Sequence, residues 1–468
     1  MKLFQTILSL GLVVLGYCFA VADSVGSPAF VRVSPRNPAY FELSDGQPYI
    51  PIGLNMIAPP GKEGWPVMES WMSQLSNHGG NFIRVWLSNP YFEVEHAKSG
   101  AYDPEKARRI DQMLDAARKN GIRVKMCLEH FRHLGEGRQP WAAKPMHKLE
   151  NGGPAKDIAD FFNGAGSREQ FQRKLDWFGA RYRHESQVFG WELWNEINAV
   201  SGGDYMAWTA FMLPKLHRLF PSNLCLQSLG SFDTDRVRSN YLRLAVMPGN
   251  DVAQVHRYLD LGASLDVCKG PVDLLAADAV RELLRANPQK PVILAESGAV
   301  EPRHTGPFKL YAQDTNGMIL HDVLFAPFFV GAAGPGHIWH WDAYVAKNNL
   351  WWHFRRFAQV VEGLDAPAER FAPEMLPHER LRVYALKGAR TTMLWCRDSH
   401  NTWQTELADG KPPETIAAAT INLPWKPAAG SKVRFYDPWE NRWHNVVLSQ
   451  PGLLKLPPFR RSLVVLLP

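Results

Sequence analysis

Residues 188–196 read VFGWELWNE, a run that is apolar almost throughout and then ends abruptly on Asn195 and Glu196. A strand with one wet face would alternate, so this run belongs to a sheet covered on both sides, the usual condition of parallel strands. Seven similar runs accompany it between Tyr49 and Asp342. They are YIPIGLN from Tyr49, NFIRVWL from Asn81, IRVKMCLEH from Ile122, CLQSLGSF from Cys225, VAQVHRY from Val252, PVILAESG from Pro291 and HIWHWD from His337. Helical patterns separate them, so the chain reads as successive βα units. Asp103-Pro104 places an N-cap before a proline at the first helical position, and Ile110, Met113, Leu114 and Ala117 then share a face up to Gly121. Ser167 with Gln170 makes a capping-box pattern ahead of the stripe Phe171, Leu175, Phe178 and Tyr182, which reads as helix packing. Eight units predict a closed (β/α)8 TIM barrel of the α/β class over residues 49–365.

After Gly363 the pattern changes. Ala366-Pro367 and Ala372-Pro373 break the helical period, and LRVYALKG, TTMLWCRD, TIAAATINLP, KVRFYDPWENRW and RRSLVVLLP read as antiparallel strands. A small C-terminal antiparallel β-sandwich is expected over 366–468, with Trp395, Trp439 and Trp443 either in its core or on glycan. Residues 23–48 read as a lead-in strand or hairpin beneath the barrel. Lys2, the apolar run from Ile7 to Ala22 and the small-x-small Ala20-Val21-Ala22 predict a secretory signal peptide over 1–22. The apolar run is shorter than the ~20 residues of a membrane span, so a secreted or periplasmic product with no membrane association is expected. The 46% hydrophobic and 21% charged composition excludes a disordered chain, and the net charge of +6 is too dispersed for a nucleic-acid surface. Cys127, Cys225, Cys268 and Cys396 lack C-x-x-C spacing, which argues against zinc or a redox pair and leaves a Cys268–Cys396 disulfide open. Oligomeric state is not legible.

Reacting groups in such a barrel project from the carboxyl ends of the strands. Those ends supply Glu129-His130, Asn195-Glu196, His256 and Tyr258, Glu296, and then Trp339, Trp341 and Asp342, with Arg84 inside the second run. Retaining glycoside cleavage needs two carboxyl groups about 5–5.5 Å apart, one protonated and one ionised. The fourth and seventh strands of an eight-stranded barrel face each other, so Glu196 and Glu296 can converge over its mouth. Arg84 would hold Glu296 ionised as the nucleophile, and repulsion between the carboxylates would raise the pKa of Glu196, the acid/base. Asn195 would donate to a sugar 2-hydroxyl, and Tyr258 would touch Glu296. Glu192 lies too deep for chemistry and reads as a structural partner of a buried base. Glu129 and Asp342 are secondary candidates for substrate contact. His130-x-x-His133 and His337-x-x-His340 have metal-like spacing, but the first strand offers no ligand, so neither metal nor other cofactor is expected. Trp65, Trp141 and Trp177 read as packing, although the first two fall in βα loops on the expected face.

These motifs, WELWNE, ILAES, FIRVW, HRY and the tryptophans of HIWHWD in order over residues 48–342, resemble clan A glycoside hydrolases and most of all family 5, the cellulase and mannanase family. The resemblance implies hydrolysis of a β-linked poly- or oligosaccharide by double displacement. It also implies that His130 and His256 bind substrate or support residues that do, and that Trp339 or Trp341 forms the sugar platform. Ile197-Asn198 stands where proline commonly follows the Asn-Glu pair, and Ser297-Gly298 replaces the frequent Phe-Gly, which leaves the sugar open. Two rival expectations remain. One is an exo-acting β-glycosidase whose long loop over 131–166 walls off the cleft; the other is a non-catalytic secreted carbohydrate-binding protein.

Overall fold

The computed structural model describes residues 29–61, 64–135 and 141–467. The expected signal peptide lies outside the described residues. Five strands, Gly53–Asn55, Phe82–Trp86, Arg123–Glu129, Val188–Trp194 and Leu224–Leu226, form a parallel sheet in chain order. The sixth and seventh, Ala253–His256 and Val292–Glu296, pair in parallel. Across the remaining gap, Asp251 N–H donates to Cys225 O (2.9 Å) and Phe232 N–H to His256 O (2.8 Å). The eighth run is not a full strand. Ile338 alone bridges both Leu54 and Ser297, and Trp341 N–H turns back to Trp339 O (2.8 Å) to begin the π-helical turn Trp341–Ala346. Closure therefore needs one bridging residue rather than a whole ladder.

The first strand is also shorter than its run, because Tyr49 pairs with Phe41 in a three-stranded antiparallel meander, Val31–Val33, Phe41–Leu43 and Pro48–Tyr49. Phe41 and Tyr49 cover Phe189 at the amino end of the fourth strand, with ring centroids 5.2 and 6.2 Å away. That meander plugs the bottom of the barrel and leaves the carboxyl end open. The helix Pro104–Lys119 starts as its sequence dictates, with Glu105 N–H donating to Asp103 Oδ1 (2.7 Å) and its predicted apolar face buried. The capping box at Ser167 does not form. Helix Ala165–Tyr182 begins two residues earlier behind Gly164, because the Gln170 amide turns inward to Glu95 (2.9 Å) and Ser99 (2.6 Å). No helix among the described residues is long and apolar enough to cross a membrane.

The C-terminal region is a six-stranded antiparallel sheet in the order Ala372–Leu376, Leu381–Lys387, Thr392–Asp398, Ser462–Leu467, Lys432–Asp437, Arg442–Val447. Strand alternation gives it two apolar faces. Tyr384, Leu386, Met393, Trp395, Tyr436 and Val464 join the barrel's core. Val383, Ala385, Leu394, Val433, Phe435 and Val465 form a second core beneath two short ladders that contribute Ile416, Ile421, Leu454 and Phe459. Trp395 is buried, Trp439 packs on His321 (4.6 Å) and Trp443 stacks on Tyr436 (4.5 Å), so all three serve packing. The Cys268–Cys396 disulfide left open by the sequence does not form: the two thiols lie in different cores, and all four described cysteines are buried and unpaired.

Candidate active site

Three layers of side chains fill the barrel interior upward from the meander. At the bottom Phe82 packs on Phe189 (5.1 Å) and stacks on His337 (4.3 Å), whose Nε2 lies 3.0 Å from Pro51 O. Above it lies a buried polar layer. Arg84 Nε donates to Glu192 Oε2 (2.7 Å), Gln254 Nε2 to Glu192 Oε1 (3.2 Å), and Lys125 Nζ to Gln254 Oε1 (2.8 Å). Burial alone would raise the Glu192 pKa, but Arg84 and Lys125 pull it down to about 2. Glu192 is thus the anionic anchor of a base, as its depth suggested. Arg84 is the hinge between this layer and the mouth, since its Nη1 donates to Glu296 and its Nη2 to Asn195 Oδ1 (2.7 Å).

At the mouth Glu296 ends the seventh strand, and its second oxygen accepts from Tyr258 Oη (2.7 Å). Glu196 follows the fourth strand in a left-handed turn (φ 53°, ψ 53°), a conformation that costs an L-residue about 1–2 kcal/mol. Ser228 Oγ holds its N–H (3.0 Å). His256 Nδ1 stands between the two carboxylates, 3.0 Å from Glu196 Oε1 and 3.4 Å from Glu296 Oε2. Glu196, His256 and Glu296 each bring one of these atoms within 4.8 Å of the other two. Asn195, with its oxygen taken by Arg84, has its amide donors left for a ligand.

The expected rise in the Glu196 pKa is contradicted. Burial does push it up, but the His256 hydrogen bond and the Arg132 guanidinium, whose Nη2 lies 2.9 Å from Glu196 Oε2, hold it well below the usual carboxylate range. Repulsion between the glutamates was the only effect the sequence made visible, and two donors outweigh it. Arg132 is the residue that sequence reasoning missed. It also donates from Nη1 to the carbonyls of Asn195 (2.7 Å) and Glu196 (3.2 Å), so it staples the left-handed turn.

These groups floor a cavity of about 800 Å³, lined also by Trp86, Asn89, Trp141, Asp233, His304, Trp339, Trp341 and Asp342. Trp339 sits edge to face with Trp341 (5.5 Å) and Trp141 (5.8 Å) and tilts against Trp86 (5.0 Å). Trp141 is therefore part of a cleft wall rather than packing, and Trp86, at the end of the second strand, joins it. His130 stands behind this wall, with Nδ1 2.6 Å from Ser88 Oγ and its ring 4.1 Å from Trp86. Glu129 is withdrawn into an ion pair with Lys174 (2.6 Å) and faces no substrate. His340 approaches Tyr311 (3.3 Å) while His337 lies at the bottom, so that pair does not converge. A groove of about 890 Å³ between Leu364 and the sheet edge at Val446 lacks such convergence: its Asp365 is bound by Arg36 and its Glu369 by the backbone of Arg390 and Thr391.

Among solved structures the fold is similar to a glycoside hydrolase (TM-score 0.64, 13% identity, 94% of this chain and 97% of that one). It is similar also to a glycoside hydrolase family 5 protein from Bacteroides vulgatus (0.59, 13%, 94% and 93%). A family 5 mannosidase from Rhizomucor miehei aligns over 67% of this chain and 86% of its own, with TM-score 0.50 and 16% identity. No curated protein matches the chain. A family model for cellulase (glycosyl hydrolase family 5) matches residues 45–319. That span takes in more than half of the 468 residues and every strand from the first to the seventh, and on it the chain belongs to glycoside hydrolase family 5, a family of retaining enzymes.

Proposed function

We propose that the chain hydrolyses a β-linked poly- or oligosaccharide by double displacement, with Glu296 as nucleophile and Glu196 as acid/base. The observation that carries this reading is the shared His256 Nδ1, which keeps oxygens of the two carboxylates within 4.8 Å. Retaining enzymes separate these groups by about 5–5.5 Å, whereas inverting ones need about 6.5–9.5 Å to admit water. Arg84 and Tyr258 fix both oxygens of Glu296, so the carboxylate is aimed before substrate arrives. Glu296 attacks the anomeric carbon while a protonated Glu196 gives its proton to the leaving oxygen. Esterification then removes the charge on Glu296, and Glu196 as carboxylate takes a proton from water as the water oxygen attacks the anomeric carbon and the ester bond to Glu296 breaks, which releases the sugar. The Asn195 amide supports this by donating to the 2-hydroxyl, and Trp339 and Trp341 offer a sugar platform.

Exo action on chain ends is favoured by one feature: Trp141, set edge-on to Trp86 and Trp339, narrows the cleft from the third βα loop. The lysine and apolar run before Asp23 support export, which N-terminal sequencing of the exported protein would verify. The deciding experiment is a screen of plant, algal and bacterial β-glycans, β-mannans included, with product analysis over time. One small sugar from the outset marks exo action, and a ladder of sizes marks endo action. Glu296→Ala and Glu196→Ala should each lower kcat/KM on the substrate found by at least about 100-fold, the lower end of acid/base contributions. Full activity in either variant overturns the assignment.

A further inference from the structure

The acid/base of the proposed reaction must present an O–H to the leaving oxygen, yet both Glu196 oxygens already accept hydrogen bonds. Oε1 faces His256 Nδ1 at 3.0 Å and Oε2 faces Arg132 Nη2 at 2.9 Å. A guanidinium donates and never accepts, so Arg132 favours the carboxylate and offers no acceptor to a proton on Oε2. Arg132 is the one Arg or Lys lining the cavity among the described residues, and its side chain is 24% exposed, so its Nη2 can trade Oε2 for water while Nη1 stays bound.

We propose that Arg132 is a positioning residue for the acid/base: it holds Glu196 of the free enzyme as a doubly engaged carboxylate, and its bond to Oε2 opposes the protonated form that the leaving group needs. This inference rests on the assignment of Glu196 made above. Substrate entering the leaving-group side weakens that bond, because the leaving oxygen draws on the protonated form that Arg132 disfavours. The two bonds from Arg132 Nη1 to the carbonyls of Asn195 and Glu196 keep the left-handed turn in place during the exchange.

The other groups that act on Glu196 are His256 from the sixth strand, Glu296 from the seventh, Asp233 and His304 from neighbouring loops, Tyr258, and Tyr241 from helix Arg238–Ala245. Asp233 and Glu296 oppose ionisation of Glu196, and the two tyrosines are neutral, since burial pushes both phenols well up. Arg132 is the contact whose charge persists at every working pH. Its removal should let Glu196 keep its proton to higher pH, so the alkaline limb of kcat/KM should move up.

The test compares wild type, Arg132→Gln and Arg132→Lys on the soluble β-glycan cleaved fastest in the screen. Arg132→Gln should shift the alkaline limb up by one pH unit or more. Arg132→Lys should keep the limb within half a unit while kcat falls more than KM rises, because the charge stays and the two carbonyl bonds go. A residue that merely supports the fold would lower activity in both variants with the limb unmoved, and that result overturns the inference. A readout without substrate is the carbon-13 signal of the Glu196 carboxyl, assigned by its loss in Glu196→Gln. It should remain that of a carboxylate to the lowest pH at which the wild type stays folded, and should titrate at least one unit higher in Arg132→Gln; identical titrations overturn the inference. The assignment of Glu196 is tested separately, by Glu196→Ala with azide on the 2,4-dinitrophenyl β-glycoside of the released sugar. Failure to form a β-glycosyl azide removes that assignment, and azide rescue with an unmoved limb removes the role of Arg132 alone.

Discussion

Glu296 is held by two donors of unlike kind. Arg84 supplies charge from within the barrel, and Tyr258 supplies direction from the sixth strand's end. Removing the hydroxyl leaves the carboxylate one bond short without disturbing its charge partner. A hydrogen bond to a charged group contributes about 1.5–3 kcal/mol, so Tyr258→Phe should lower kcat by roughly 10- to 100-fold with little change in thermal stability. Steady-state kinetics beside a melting curve would check this, and an equal loss in both would mean that Tyr258 serves the fold instead. Glu196, Glu296, Arg84, Asn195 and Tyr258 were legible because each ends or interrupts an apolar strand, where a polar residue has no packing reason to be. Arg132 was not legible. It lies in a loop, and nothing in a loop's sequence shows that its guanidinium turns back onto the neighbouring strand's carbonyls. The charge state of Glu196 was misread for the same cause.

The second and third βα units share a buried ionic cluster that no periodicity announces. Lys174 of helix Ala165–Tyr182 reaches both Glu129 (2.6 Å) and Glu93 (3.0 Å), and His147 adds a contact to Glu129 (3.2 Å). One ammonium thus serves two carboxylates. Burial acts to raise both; Lys174 and His147 hold Glu129 down to about 2, while Glu93, farther from Lys174 and repelled by Glu129, is pushed up to about 7. Glu93 in the folded chain therefore keeps its proton well above the pH at which the unfolded chain releases it. Its contribution is present in full below about pH 4.5 and is lost as pH rises through 7. Between pH 5 and 8 wild-type stability should fall by on the order of 2 kcal/mol from this group, and Glu93→Gln should flatten that slope. Denaturant midpoints at several pH values would show it. Helix placement by apolar period succeeded here, with Phe171, Leu175, Phe178 and Tyr182 all buried, whereas the capping box failed because Gln170 was drawn into this cluster. The eighth strand was over-read for a related reason: HIWHWD has strand-like residues, but only Ile338 has neighbours on both sides to pair with.

The chain as a whole is bound together by a helix with no solvent face. Helix Met318–Phe329 is buried at every position, between the barrel strands and the C-terminal sheet. An α-helix that is apolar all round belongs to the interior of something larger than one barrel. Phe325 and Phe329 pack against Trp395 of the sheet (5.8 and 6.2 Å), and Asp322 of the same helix takes the Arg397 guanidinium at 2.8 and 3.2 Å. A second tie joins Asp273 of the preceding helix to Arg382 (2.5 and 2.9 Å) and Tyr384 (2.7 Å). Cutting the chain after residue 365 would expose that apolar face to water and remove the partners of Asp322 and Asp273, and each large apolar side chain left exposed costs about 1.5–3 kcal/mol. Marginal stabilities of about 5–15 kcal/mol leave little beyond that loss. The fragment over 29–365 should accordingly fail to give a folded, soluble barrel, and calorimetry of the full chain should show one transition for barrel and sheet together. The milder variant Arg397→Met should lower stability by about 3–5 kcal/mol while leaving the alkaline limb of the pH profile in place, since its contacts lie in the sheet and at Asp322 rather than at Glu196. Two separate calorimetric transitions, or a soluble and active barrel fragment, would show that the sheet is an appendage and not part of the catalytic unit's core.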